Sequence, residues 1–257
     1  MSGAASGEEA GVRPYAAGSL RAAMTEVAQA FTASGGPAVI ATFGASGLLR
    51  ERIEKGEAVD VFASADLGNP QALAMAGRAR PPIVFTRNRL CAIVAPGVDA
   101  TTETLLDRML DPKVKLGTST PKADPGGDYA WQVFERAGSL RPGAYAALDA
   151  KALKLTGGPD SPQPPANRSV YGALIGERKA DIFLTYCTNA IAALREVDGA
   201  RMLDLPASLT VGADYGLTTV KDASPAATRF VEFVMSPQGE GILERHGFAC
   251  VARRVAD

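Results

Sequence analysis

Short apolar segments alternate with amphipathic helical patterns along this chain, and that alternation limits the possible folds more than any other feature. The apolar segment ADIFLTY, residues 180–186, is followed at once by the helical pattern CTNAIAALREV. The same order recurs near the start, where a predicted strand at 12–17 precedes a helix from Leu20 and a strand at 37–43 precedes a helix from Ser46. Strands that alternate with helices predict α/β layers with mostly parallel sheets.

The middle of the chain predicts a second lobe. Residues 114–138 have the pattern of a strand, a polar loop and a helix, and residues 156–169 are a loop rich in proline, glycine and serine. We therefore predict lobe 1 from residues 1–90 and 212–257 and an inserted lobe 2 from residues 91–211. In this topology two strands cross between the lobes.

Charge and hydropathy exclude several classes of partner. The 257-residue chain has a formal net charge of −1, without the basic excess that nucleic-acid and membrane-surface proteins carry. No apolar run approaches the roughly 18 residues that span a bilayer. The opening MSGAASGEEAGV is not a signal peptide. Either the protein is cytosolic or a signal has been removed.

Cysteine and histidine usage argues against a metal site. The three cysteines, Cys91, Cys187 and Cys250, fit no zinc spacing, and we interpret them as small buried side chains. A disulfide between two of the three remains an alternative interpretation if the protein lies in an oxidising compartment. The single histidine, His246, is expected in the last turn of a helix before Gly247. We expect no metal bound directly by protein ligands.

Two serines stand at equivalent strand-to-helix corners. Ser19 follows Gly18, and Ser46 lies between Gly44 and Gly47. A helix start has unpaired N–H groups and a positive dipole end, so it can bind an anion. Serine is also a preferred helix cap, and capping is the favoured interpretation of either serine taken alone. Two such corners on one lobe strengthen the case for an anion site.

Two further candidates lie in the predicted second lobe. Residues 124–127, DPGG, form a flexible corner ahead of a helix that we expect to begin near Asp128, and their N–H groups suit a cleft. An ordinary turn with proline at the first helical position explains them equally well. Tyr186 ends a strand, and ligands of open α/β sheets lie beyond such ends. A boundary tyrosine with its hydroxyl in water is the simpler interpretation.

Motifs for enzymatic chemistry are absent. The chain has no Gly-x-Ser-x-Gly elbow, no phosphate-binding Gly-x4-Gly-Lys-Ser/Thr and no Gly-x-Gly-x-x-Gly after the first strand. We expect no catalytic residues and no enzymatic activity.

The chain resembles a known family over residues 15–252. The segments that carry the resemblance are AAGSLRAAM, FGASGLLRERIEKGEAVDVFASAD, NRLCAIVAP, DPGGDYAWQVFERAG, LTYCTNA and SPQGEGILERHGF. Together they are similar to the periplasmic molybdate-binding proteins of ABC transporters. The resemblance implies the two-lobe periplasmic-binding-protein fold, an α/β fold with a mostly parallel sheet flanked by helices in each lobe. It also implies a periplasmic location, a monomer and a membrane permease as partner.

The same resemblance implies a ligand and a set of residues that bind it. The family closes on molybdate or tungstate, without a cofactor, through neutral hydrogen bonds. On this chain the implied oxyanion-binding residues are Ser19, Ser46, Gly126, Val170 and Tyr186. The chain departs from the family at Asn189, where the family commonly has aspartate. Asp128 lies close to the anion loop, where a carboxylate repels an anion, and Arg21 follows the first serine corner, where a guanidinium attracts one.

Two alternatives stay open at this point. The first is a binding protein for another oxyanion, such as sulfate, on the same scaffold. The second is a cytosolic sensor or an enzyme with the same two lobes. Molybdate and sulfate are both unprotonated at neutral pH, so cavity size must separate them.

Overall fold

The computed structural model describes residues 11–162 and 168–251, which form strands and helices in close alternation. The strands are β1 Pro14–Ala17, β2 Thr42–Gly44, β3 Val61–Ser64, β4 Ile83–Val94, β5 Leu116–Ser119, β6 Leu153–Thr156, β7 Ile182–Tyr186, β8 Arg201–Asp204, β9 Gly212–Thr219 and β10 Ala249–Cys250.

The helices follow the strands in the order that the sequence predicts. They are α1 Arg21–Ala33, α2 Ser46–Glu54, α3 Gly68–Met75, α4 Leu105–Leu110, α5 Pro125–Leu140, α6 Ala144–Lys151, α7 Val170–Gly176, α8 Cys187–Leu194, α9 Pro225–Val234 and α10 Pro237–Arg245. Short 3-10 turns at Gly18–Leu20 and Ala207–Leu209 complete the set among the described residues.

The described strands form one sheet with the order β2-β1-β3-β9-β4-β7-β5-β6, and β8 and β10 also pair with β4. Strand β1 runs parallel to β2 and β3, and β5 runs parallel to β6 and β7. The pairs made by β4, and the pair between β9 and β3, are antiparallel. Each half of the sheet is therefore parallel at its outer edge, and β4 joins the two halves.

We call the part built on β1, β2, β3, β9 and β10 the first lobe, and the part built on β5, β6, β7 and β8 the second lobe. The long strand β4 pairs with β9 in the first lobe and with β7 in the second. Two lobes of mostly parallel sheet, joined where β4 and β9 run side by side, confirm the predicted fold class. The domain limits at residues 90 and 211 stay a prediction.

Helix α1 shows how the sequence pattern builds the first lobe. Met24, Val27 and Phe31 recur at helical spacing and are all buried. Phe31 makes edge contacts with Phe230 and Phe233 of α9, at ring-centroid distances of 5.3 and 5.5 Å. The packing of this apolar face fixes α1 on the sheet, and with it the turn that contains Ser19.

Several element boundaries differ from the sequence prediction. The strand predicted at 37–43 is regular only over β2, and ahead of it Val39 makes an isolated parallel bridge with Val12. Helix α5 begins at Pro125 and not near Asp128. The predicted flexible corner is therefore the first turn of the helix, with proline at its first position.

The favoured interpretation of the cysteines as simply small buried side chains is incomplete for two of them, and the alternative of one disulfide between two of the three is what the structure shows. Cys91 of β4 and Cys187, the first residue of α8, form a disulfide. Both residues are buried. The pairing arises because β4 and β7 are antiparallel neighbours, with Leu90 opposite Tyr186, so that α8 starts beside Cys91. The bridge fixes the chain immediately after Tyr186.

Within the described ranges, every helix is too short or too polar to cross a lipid bilayer.

Candidate functional site

A cleft of about 960 Å³ lies between the two lobes. This volume falls in the range of small-molecule sites. Four of the five residues predicted to bind an oxyanion line it: Ser19, Ser46, Val170 and Tyr186. These residues come from four separate segments of the chain, and the fold brings them together.

Ser46 is the most buried of the predicted hydroxyls, with 1% of its surface exposed. It is the first residue of α2, and Ala45 occupies the cap position without a side-chain cap. Its Oγ accepts a hydrogen bond of 3.1 Å from the N–H of Ala65, at the end of β3. Ser46 lines the cleft, and among the described residues its hydroxyl proton has no acceptor.

Ser19 is positioned by residues of β4 and β9, the strands that run side by side where the lobes join. Its Oγ lies 2.9 Å from the hydroxyl of Tyr215 on β9. Asn88 Nδ2 of β4 donates to the same tyrosine oxygen at 3.3 Å. Either hydroxyl can be the donor in the Ser19–Tyr215 bond; where Tyr215 donates, the Ser19 proton is available for a ligand. Capping, the favoured interpretation of each serine alone, is wrong for both, because neither side chain caps its helix.

Tyr186 reaches across from the second lobe. Its hydroxyl donates to the backbone oxygen of Ala65 at 3.4 Å. Ala65 therefore connects two predicted site residues, since its N–H donates to Ser46. Burial raises the pKa of Tyr186 well above its ordinary value, so the phenol stays a neutral donor. Its ring packs edge-on against Tyr215 at a centroid distance of 5.5 Å.

Val170 is the first residue of α7, and its N–H is one of those that a helix cannot satisfy internally. The preceding residue, Ser169, caps this helix through Oγ, which accepts from the N–H of Gly172 at 3.2 Å. Glu196 accepts from the N–H of Ser169 at 2.8 Å. These bonds fix the start of α7 at the cleft wall.

Gly126 is placed differently from the expectation, because it is buried and does not line the cleft. Its N–H donates to Oδ1 of Asp124 at 2.9 Å. Asp124 is the cap of α5 and itself lines the cleft. The helix end that the resemblance assigns to the oxyanion is thus occupied by a carboxyl of the chain.

The lobes touch directly at one edge of the cleft. The N–H of Gly47 in α2 donates to the backbone oxygen of Ala123 at 3.0 Å. A Cβ on Gly47 would lie 2.6 Å from the oxygen of Lys122 and 2.7 Å from that of Ala123. Such separations do not occur between real atoms, so only glycine permits this approach.

Positive charge lies along the lining of the cleft, and most of it is neutralised by the protein. Arg52 pairs with Glu57, Arg168 pairs with Glu196, and Arg245 pairs with Glu26. The Arg21 guanidinium lies 4.8 Å from the centre of the Phe43 ring. Arg195 also lines the cleft.

Sequence reasoning missed three contributors to the site. The backbone of Ala65 and the N–H of Gly47 carry no residue-type signal, because any residue has a backbone. Asp124 carried a signal that pointed elsewhere: an Asp-Pro pair is typical of a helix start, and the carboxyl does cap α5. Its second position, on the cleft wall, depends on the tertiary structure.

Two known proteins are similar to the chain over most of its length. The chain is 38% identical over 211 residues to an uncharacterised protein of Pasteurella multocida, covering 80% of this chain and 86% of that one. It is 27% identical over 248 residues to a Mycobacterium tuberculosis protein named molybdate-binding protein ModA, covering 91% of this chain and 83% of that one.

A similar fold occurs in a solved structure with a different ligand in its name. The sulfate-binding protein SubI from Mycobacterium tuberculosis superposes with a TM-score of 0.76 at 18% identity, covering 95% of this chain and 88% of that one. At that identity the likeness shows the periplasmic-binding-protein fold alone.

The family model described as bacterial extracellular solute-binding protein matches residues 12–249, which include both lobes and every predicted site residue. The chain belongs to the bacterial extracellular solute-binding protein family.

Proposed function

We propose that this protein captures a tetrahedral oxyanion, molybdate or tungstate, between its lobes and delivers it to the membrane permease of an ABC transporter. The observation that carries the proposal is the convergence of Ser19, Ser46, Val170 and Tyr186 on one cleft. Ser19, Ser46 and Val170 each offer an O–H or N–H donor without bringing a positive charge, and the Tyr186 phenol, bonded to Ala65 in this structure, is a further neutral group.

Neutral donors suit such an anion energetically. A buried dianion without partners is very costly, whereas each hydrogen bond to a charged group contributes roughly 1.5–3 kcal/mol. The start of α2 adds a dipole contribution of up to about 2 kcal/mol. Several such contributions offset the desolvation of a small oxyanion.

The periplasm is the proposed location, and the protein is proposed to act as a monomer. The disulfide between Cys91 and Cys187 supports an oxidising compartment, because disulfides rarely persist in the cytosol. The family to which the chain belongs is described as extracellular.

Sulfate is the second candidate ligand, because the fold is shared with a protein named for sulfate and the donors here do not discriminate by charge. Isothermal titration calorimetry against molybdate, tungstate, sulfate and phosphate separates the candidates. Tight binding of molybdate and tungstate supports the proposal. Preferential binding of sulfate favours the second candidate, and binding of none of the four contradicts both.

A further inference from the structure

The cleft has a carboxyl group on its second-lobe wall, an unusual neighbour for a bound anion. Asp124 Oδ1 accepts the N–H of Gly126. The other oxygen, Oδ2, faces Gly157, where an added Cβ would lie 2.5 Å from it. The close contact with Gly157 and the bond to Gly126 together fix the carboxyl in place at the cleft wall.

No cation compensates this carboxyl within the described part of the chain, where the ion pairs involve other acids. The titratable groups that interact electrostatically with it are Asp128 from its own helix, Asp66 from the first lobe, and three phenols: Tyr171, Tyr186 and Tyr215. Asp66 is committed to the start of α3, where it accepts from Asn69 N and Nδ2 at 3.0 and 2.8 Å. His246, bonded to Glu26 at 2.8 Å, also lines the cleft.

The other acids of the cleft lining differ from Asp124. Glu196 is paired with Arg168, and Glu244 is exposed on α10. Burial raises the pKa of Asp124, and the hydrogen bonds from Gly126 and Ser119 oppose this in part. A dianion bound in the same cleft adds a like charge, which disfavours the ionised carboxyl further.

Building on the proposed function, we propose that the oxyanion binds together with one proton taken from solvent, which Asp124 holds and donates as an O–H to an anion oxygen. The proton removes the repulsion between two buried negative charges and turns the carboxyl into another neutral donor. Asp124 thereby makes capture of the oxyanion dependent on pH.

The sign of this dependence follows from linkage. A complex that holds one more proton than the free protein and ligand weakens as pH rises, by up to about tenfold per pH unit. Wild-type protein should therefore bind molybdate at least about tenfold more tightly near pH 6.5 than near pH 8.5.

Calorimetry in buffers of different ionisation enthalpy measures the proton directly. Molybdate binding to wild-type protein should take up a measurable fraction of one proton. Asp124→Asn retains an oxygen for Gly126 but cannot titrate, so it should bind without proton uptake and with little pH dependence. Asp128→Asn and His246→Gln are the matched controls, since each removes another titratable group near the cleft and should leave the uptake unchanged.

The outcomes separate the two proposals. Molybdate binding without proton uptake, or uptake that persists in Asp124→Asn, overturns the role of Asp124 and leaves the proposed function standing. If proton uptake is lost in Asp128→Asn or His246→Gln instead, the proton belongs to those groups, and the proposed role of Asp124 is again overturned. Absence of binding to any of the four oxyanions at either pH overturns both proposals.

Discussion

The helix starts on the two walls of the cleft differ in how they are capped. In the first lobe, α2 begins at Ser46 without a side-chain cap, and the Ser46 oxygen accepts from Ala65 in another segment. In the second lobe, α5 is capped by Asp124 and α7 by Ser169. The start of α2 therefore lacks a side-chain cap, whereas the starts of α5 and α7 each have one, although the second-lobe helix α8, which begins at Cys187, has none.

This difference shows that residue type alone does not indicate the function of a polar residue at a helix start. Ser46 and Ser169 are the same residue type near similar corners, yet the Ser46 hydroxyl accepts from Ala65 in a distant segment and the Ser169 hydroxyl caps its own helix. The predictions below test that contrast, beginning with the largest expected effect.

Gly47→Ala should break the contact between the walls. The added methyl group meets two backbone oxygens of the opposite lobe, and backbone cannot move aside as a flexible side chain does. We expect oxyanion affinity to fall by about 100-fold or more, a loss of about 2.7 kcal/mol, with little change in the Tm of the ligand-free protein. Calorimetry and thermal unfolding measure the two effects.

The matched control for Gly47→Ala is Gly241→Ala in α10. There the nearest atom to an added methyl group is 3.9 Å away, on a flexible arginine. This variant should bind like the wild type. Unchanged affinity in Gly47→Ala would show that the lobes need not approach this closely to hold the ligand.

Ser46→Ala should weaken binding by about 10- to 100-fold, because it removes a donor to a charged ligand worth about 1.5–3 kcal/mol. It also leaves the N–H of Ala65 without its acceptor. Competition titration measures the affinity, and circular dichroism confirms that the fold persists. Wild-type affinity in this variant would remove Ser46 from the site.

Ser169→Ala should show the reverse pattern. Loss of a helix cap costs about 0.5–2 kcal/mol of stability, so the Tm should fall while affinity changes less than in Ser46→Ala. Chemical denaturation measures the free energy of unfolding. A larger loss of affinity than of stability would mean that both walls use their serines in the same way.

Tyr186→Phe should have the smallest effect, a several-fold loss of affinity. The hydroxyl makes a long bond of 3.4 Å to Ala65, and the ring contacts with Tyr129 and Tyr215 remain in the variant. Titration with molybdate measures it, with Tyr145→Phe on the exposed side of α6 as control. A loss as large as that of Ser46→Ala would indicate direct donation to the ligand.

Much of the architecture was predictable because it depends on local patterns. The apolar spacing of α1 predicts a helix, and the apolar segment of β7 predicts a buried strand, because burial of apolar surface is the main stabilising term. The proline at the start of α5 likewise marks a helix start from its own chemistry. The site residues were grouped by resemblance, and their roles in binding remain predictions.

The amino-acid sequence by itself determined the order of strands and helices, the two lobes and the polar residues available at their corners. The tertiary structure alone decided which partner each polar group meets. Ser46 bonds to a residue 19 positions away, Cys91 to one 96 positions away, and Asp124 faces a cleft whose opposite wall is another lobe. Such pairings depend on how distant segments pack, and that packing is a property of the whole chain.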